Sequence, residues 1–138
     1  ILCDLGNDLI YGDAGSDLAY GEKGNDTIFG GNGDDTIFGG EGNDTINGGS
    51  GEDVLYGSGD SDIFQYYQSN EKDIVKFFAN NVDTIQFHHF DGILTDVASA
   101  MGFATQSSND VVFDFGGGDI LTVGNITIAQ LMDDIEIV

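Results

Sequence analysis

The sequence predicts an all-β chain in which a parallel stack of short coils is closed by a β-rich C-terminal segment containing a short helix. Three observations predict it. Asp8, Asp17, Asp26, Asp35, Asp44, Asp53 and Asp62 stand nine residues apart, and a fixed period is the signature of a stacked repeat. Most of the 22 glycines lie before position 60, and there is no proline. After Phe64 the glycine loops stop, and apolar alternation lengthens into ordinary strand patterns.

Composition narrows the function classes. The 138 residues carry 25 acidic side chains against three lysines (Lys23, Lys72 and Lys76), a formal net charge of −22. Such a chain repels itself when metal-free, and nucleic acid and anionic membrane are excluded as partners on charge. The single cysteine, Cys3, forms no internal disulfide and has no basic neighbour to favour a thiolate. No apolar run is long enough to span a bilayer, so no membrane insertion is expected, and the N-terminal residues have neither the basic nor the apolar region of a signal peptide. The start within a repeat and without Met suggests a fragment of a larger protein with a domain upstream.

Aligned on the aspartates, the central units begin at Gly21, Gly30, Gly39 and Gly48 and read GEKGNDTIF, GGNGDDTIF, GGEGNDTIN and GGSGEDVLY. Glycines permit the positive φ angles that turn a backbone sharply and aim carbonyls at one point, while the last three residues alternate as a very short strand. Six residues of each unit are thus expected to turn and three to extend. An acidic residue locked to the period implies a cation. Carbonyls with carboxylates suit calcium, which takes about six to eight oxygen ligands, better than magnesium with its strict octahedron. Zinc would want His or Cys, which are absent from the repeats.

These units resemble the RTX (repeats-in-toxin) nonapeptide G-G-x-G-x-D-x-U-x, a calcium-binding repeat. The resemblance implies a right-handed parallel β-roll over residues 1–65, with each unit stacked on the one 18 residues on. It also implies calcium ions held between stacked loops, by carbonyls of the second and fourth positions of one loop, the first and third of the next, and both aspartates. Carried onto this chain, Asp4, Gly6, Gly21 and Lys23 join Asp8 and Asp26, and Asp13, Gly15, Gly30 and Asn32 join Asp17 and Asp35. Glu22, Gly24, Gly39 and Glu41 join Asp26 and Asp44. Gly31, Gly33, Gly48 and Ser50 join Asp35 and Asp53, and Gly40, Gly42, Gly57 and Gly59 join Asp44 and Asp62. About five ions follow, with Asp26, Asp35 and Asp44 each bridging two. Cys3 and Asp4 replace the leading glycines of the first unit and Asp60 the fourth-position glycine of the last, which puts the outermost ions in question.

Ile10, Ala19, Ile28, Ile37, Ile46, Leu55 and Phe64 occupy the U positions and are expected to face inward. So thin a core does not offset the ordering entropy of so many glycines, so folding and metal binding should be one event and the metal-free chain disordered. Tyr20, Phe38 and Tyr56 should form an outward aromatic ladder, read either as cross-strand packing or as a sugar-stacking or partner-binding strip.

Residues 66–138 read as a cap packed as one continuous unit with the roll. Strands are expected over 73–77, 83–87, 110–115 and 119–123, with a short helix between Ile93 and Met101. The stretch from Asn109 to Val123, followed by Ile126–Leu131, is similar to the flanking domain after such repeats in serralysin-type proteases, Type I secreted lipases, alginate epimerases and RTX adhesins. A cap is also required physically, because open strand edges pair with other chains. Asp133-Asp-Ile-Glu-Ile-Val138 resembles the terminus of Type I secretion substrates; a final strand would look the same.

Catalysis is not expected. There is no HExxH zinc motif and no G-x-S-x-G elbow, and the adjacent His88 and His89 read as strand-end or loop residues. The first reading of function is therefore a calcium-binding module at the C-terminus of a larger exported protein. It would fold outside the cell, where calcium reaches about millimolar, and would use the Type I secretion machinery without an N-terminal signal. The alternative is a polysaccharide- or surface-binding module of a secreted enzyme or adhesin. Ice binding would require one regular polar position, which the varied third positions do not supply.

Overall fold

A computed structural model of the chain describes residues 1–68, 71–79, 82–88, 90 and 92–138. Alternate coils pair, so consecutive strands fall on opposite sheets. One sheet holds β1 (Leu9–Tyr11), β3 (Thr27–Asn32), β5 (Thr45–Ser50), β7 (Ile63–Tyr67), β9 (Thr84–His88) and β13 (Ile135–Ile137), in that order. The facing sheet runs from β2 (Leu18–Lys23) through β4 (Thr36–Glu41) and β6 (Val54–Ser58) to β8 (Lys72–Lys76). It ends in β12 (Asp119–Val123), β11 (Asp110–Gly116) and β10 (Ala104–Ser107). Pairing is parallel along both stacks and antiparallel only within β10–β11–β12. This is a parallel β-roll with a capping segment.

The register is the sequence period made physical. Ile10 pairs with Ile28 and Ile28 with Ile46, then Ile46 with Phe64, while Ala19, Ile37 and Leu55 align on the other sheet. All seven U residues are buried, as expected, at 3 % exposure or less. Their outward neighbours stack ring on ring: Tyr20–Phe38 at 4.9 Å and Phe38–Tyr56 at 4.4 Å, with Tyr11–Phe29 at 5.2 Å on the other sheet. Stacking of that kind closes the ring faces against one another and leaves edges to solvent, which fits cross-strand packing better than a sugar platform.

The strands are longer than three residues. β3, β4 and β5 each run for six, through the glycine pair, because inter-coil pairing continues there, as in Gly31 opposite Gly49. The turn is compressed into the residues just before each aspartate. There the fourth position is left-handed in every coil: Gly6, Gly15, Gly24, Gly33, Gly42 and Gly51 lie between φ 116 and 133°, and Asp60 at 68°. The second position is left-handed as well from the second coil on, and three non-glycines occupy it: Asp13, Glu22 and Ser58, at φ 70, 76 and 90°.

The roll does not stop at Phe64. β8 and β9 continue both stacks in phase, with Val75 under Leu55 and Ile85 under Phe64. Beyond them the cap closes the core with Phe90, Phe113, Leu121 and Leu131, which pack with Phe87 of β9 and are all buried. The helix expected from Ile93 is shorter: α1 spans Val97–Met101, because the Asp96 carboxylate caps it by accepting from Ser99 N at 2.8 Å. A second short helix, α2 (Ile128–Leu131), occupies a stretch expected to belong to the strand-rich flank.

Replacing Ser58 by Gly relieves a left-handed residue at the cost of some unfolded-state entropy, and is expected to stabilise the folded chain by about 0.5–1 kcal/mol. Gly33→Ala has the opposite sign. Its φ is 118° and a Cβ there would lie 2.6 Å from the Gly15 carbonyl oxygen, so a loss of about 2 kcal/mol or more is expected. Denaturant midpoints of the folded variants check both.

Candidate metal centre

Each repeat aspartate is clamped between coils. The backbone N–H of Asp8 donates to Oδ1 of Asp26 at 2.8 Å, and the same bond joins Asp17 to Asp35, Asp26 to Asp44, Asp35 to Asp53 and Asp44 to Asp62. The carbonyl of each in turn accepts from the residue after the stacked aspartate, as in Thr27 N to Asp8 O at 2.9 Å. The pairs named from the sequence are therefore neighbours across the stack.

Oδ1 is thus satisfied within the protein, and Oδ2 is not. The Oδ2 atoms of Asp17, Asp26, Asp35, Asp44 and Asp53 are buried without a hydrogen-bond partner. Buried charge is tolerated only when paired or bound to metal, so a row of such oxygens calls for cations. Each Oδ2 sits over the first glycine of its own unit. A Cβ on Gly21, Gly30 or Gly39 would lie 2.3 Å from the Oδ2 of Asp26, Asp35 or Asp44. Only glycine leaves that notch open.

Several of the backbone carbonyls named from the sequence accept hydrogen bonds across the stack. The carbonyls of Lys23, Asn32, Glu41 and Ser50 accept from Gly6, Gly15, Gly24 and Gly33 N–H at 2.6–2.8 Å, and Gly40 O accepts from Gly59. Each carbonyl has a second lone pair free for a cation. Asp4 is the weakest member of the set, since it lies in the first coil, where pairing reduces to isolated bridges at Leu2 and Leu5. Among the described residues no three His, Cys, Asp or Glu side chains stand together so as to hold a metal. A hard cation held by these carboxylates would need main-chain carbonyls as well, a mixed oxygen set that suits calcium. His88 stacks on Tyr67 at 4.7 Å at the end of β9; His89 lies outside the described residues.

The ladder runs further than the nine-residue spacing. Asp53 N–H donates to Asp73 Oδ1 at 3.0 Å and Asp62 N–H to Asp83 Oδ1 at 3.1 Å, at separations of 20 and 21 residues. Neither Asp73 nor Asp83 was picked out from the sequence as a site residue, and Asp53 and Asp62 are not the ends of the row. The signal was present: Asp73-Ile-Val and Asp83-Thr-Ile repeat the aspartate and apolar triplet, displaced by two and three inserted residues.

Burial pushes these carboxyls up, and the aspartates of adjoining coils add to the push. Asp44 and Asp53 rise to about 6 and Asp62 to about 7, with Asp35 raised as well, although each carboxylate accepts a backbone N–H that works in the opposite direction.

Comparison with known proteins follows the same lines. Residues 4–37 and 29–64 match the RTX calcium-binding nonapeptide repeat, in four copies. The fold is similar to the solution structure of the AlgE6R3 subunit of the Azotobacter vinelandii mannuronan C5-epimerase: TM-score 0.61 and 19 % identity, over 94 % of this chain and 78 % of that one. The extracellular lipase LipA of Serratia marcescens aligns with a TM-score of 0.36 and 21 % identity, over 94 % of this chain and 19 % of the lipase. No curated protein matches by sequence. Among the described residues no helix is long and apolar enough to cross a membrane.

A pH dependence follows. Folded values near 6 to 7 against an unfolded value of about 3.9 mean that the metal-free roll binds more protons than the unfolded chain between about pH 4 and 7. Its stability therefore rises as pH falls through that window and is lost as pH rises through the folded values. Cation binding has the reverse slope, because it needs the ionised form. Held in excess chelator, the metal-free chain is therefore expected to gain β-structure as pH falls from about 7 to about 5 and to lose it on return to about pH 8, followed by circular dichroism.

Proposed function

From the premise that residues 4–64 are RTX calcium-binding nonapeptide repeats, we propose that this chain is a non-catalytic, calcium-folded β-roll module of a secreted bacterial protein that works at a polysaccharide or another surface. The observation that carries the calcium half of this reading is the row of buried, unpartnered Oδ2 atoms from Asp17 to Asp53. Loops 18 residues apart supply two carboxylates and four carbonyls to each ion, giving about five ions over the repeats. About ten positive charges would then offset part of the −22. The polysaccharide half draws on the likeness in fold to a subunit of an enzyme named for mannuronan. With two lysines already paired to Glu41 and Glu52, this surface would meet an anionic glycan through bound calcium rather than through basic side chains.

A second reading, Type I export of a calcium-free and extended chain, rests on the sequence resemblance of residues 133–138 alone, since the structure has a strand there. Ile135–Ile137 is the last strand of one sheet, paired with β9. A secretion signal at that place would be accessible only before the roll folds. The two readings are compatible, since one concerns the route and the other the destination.

In a calcium titration followed by circular dichroism, the chain is expected to pass cooperatively from disorder to β-structure; full folding in excess chelator, unchanged by calcium, overturns the proposal. Asp35→Ala should lose about two ions and raise the calcium midpoint, whereas Asp8→Ala should lose about one. Binding to alginate in calcium and its loss in chelator test the surface reading, with a folded chain that ignores alginate and other glycans counting against it.

A further inference from the structure

One sheet of the roll breaks its outward aromatic row, and a cleft lies at the break. On the sheet of β1 the ninth positions run Tyr11, Phe29, Asn47 and Gln65. Tyr11 stacks on Phe29 at 5.2 Å, but the register then places Asn47 beside Phe29, where the facing sheet carries its rings on from Phe38 to Tyr56. The row of rings thus ends at Phe29, with Tyr11 on one side of it and an amide on the other.

Pairing between coils stops at the same place. β3 and β5 pair as far as Asn32 opposite Ser50, whereas β5 and β7 pair only at Thr45 with Ile63 and Ile46 with Phe64. Tyr66-Tyr67 stands where the coil beneath has Gly48-Gly49. Tyr66 is buried, with its hydroxyl donating to Asp119 of the cap, and Tyr67 is opposite His88 of β9. The chain therefore leaves β5 to follow the cap. The space it leaves is a cleft of about 380 Å³, within the range of roughly 300–1,000 Å³ usual for small-ligand sites. Phe29, Asn47, Gln65, Tyr67 and Gln68 line it, beside the backbone of Gly48 and Gly49.

The lining is rich in amides and poor in charge. Asn47 Nδ2 donates to Gln65 O at 3.3 Å and Gln65 Nε2 to Gln86 Oε1 at 3.4 Å. Both are longer than the usual N–H···O distance of about 2.9 Å, so neither donor is well engaged. Each amide also carries a second N–H and an acceptor oxygen. Donor and acceptor on one rigid group match the neighbouring hydroxyls of a sugar ring, while an aromatic face takes the ring's apolar C–H side. Tyr67 is 39 % exposed and is held by stacking on His88 at 4.7 Å. Among the described residues that line the cleft there is no lysine, and the acid present, Asp73, is buried, so nothing there recruits a charged ligand.

We propose that this cleft binds an uncharged, hydroxyl-rich sugar chain, with Phe29 and Tyr67 as apolar walls and Asn47, Gln65 and Gln68 as the hydrogen-bonding amides. Such a site rests on the polysaccharide half of the proposed function and adds a ligand class to it, because a neutral sugar is held by side chains and needs no calcium bridge. Isothermal titration of the calcium-folded chain with oligosaccharides of cellulose, mannan and xylan, and separately of alginate, tests it. At least one neutral oligosaccharide is expected to bind, and Gln65→Ala to weaken it about tenfold, the worth of two neutral hydrogen bonds. Asn47→Phe is expected to abolish binding while the roll still folds with calcium, because a ring there continues the row from Tyr11 and Phe29 and fills the cleft. Phe77→Ala, at the exposed end of the other aromatic row, should bind as the wild type does. Failure of the folded wild type to bind any of the neutral oligosaccharides overturns the site, as does wild-type affinity in both Gln65→Ala and Asn47→Phe. In either case, alginate binding that persists in calcium leaves the calcium-bridged reading standing, and its absence removes the polysaccharide half as well.

Discussion

The structure depends on one arrangement, an aspartate whose two carboxylate oxygens do different work. Oδ1 accepts the backbone N–H of the aspartate 18 residues earlier, two coils back, which fixes the rise between stacked coils, while Oδ2 stays buried without a hydrogen-bond partner. Repeated along two stacks with coils about 4.8 Å apart, this places like charges at strand spacing. At an effective dielectric of about 20, each neighbouring pair then costs about 3 kcal/mol. One inward Ile or Leu per coil returns about 1.5–3 kcal/mol. The core therefore cannot carry the ladder unaided, and neutralisation of Oδ2 decides whether the roll exists.

The glycines follow from the same arrangement. From Gly12 on, the first position of each repeat unit is glycine, because Oδ2 lies where a Cβ would be, 2.3 Å away at Gly21, Gly30 and Gly39. From Gly6 to Gly51 the fourth is glycine because the chain turns at φ well beyond 100° just before the aspartate, and only the last unit has Asp60 there, at φ 68°. The second position is less strict, and it is there that Asp13, Glu22 and Ser58 intrude. The period in the sequence is thus the projection of one local geometry, and its tolerance at each position tracks how closely Oδ2 and the neighbouring coil approach.

That is also why the repeat half was legible and the rest less so. Register, inward residues and stacked aspartate pairs all follow from spacing, because nothing between Gly12 and Phe64 interrupts it. The continuation through Asp73 and Asp83 was hidden by two- and three-residue insertions that leave the triplet intact but break the count. Strand length was misjudged because glycines signal turns, whereas here the pair at Gly30 and Gly31 sits inside β3, held by pairing with the next coil. In the cap, four apolar strands could be read from alternation, but α2 depends on tertiary placement that a four-residue helix does not declare.

Roll and cap meet the same problem by different means. The cap has an aromatic cluster, with Phe87 packed edge-on to Phe113 at 5.2 Å and Phe90 beside Phe115 at 4.7 Å, and so has apolar surface to bury without metal. The roll has one inward side chain per coil and depends on charge neutralisation. Because β12 extends the stack at β8 and β13 extends it at β9, the cap offers a preformed edge to each sheet. Coils added to such edges pay no separate nucleation cost, so order should spread from the cap toward residue 1. Asp26, Asp35, Asp44, Asp53 and Asp62 are all buried, at 2 % exposure or less, while Asp8 and Asp17 are only partly buried. Apolar support and buried charge therefore both fall off toward residue 1, and cation binding has least to gain from a scaffold at that end.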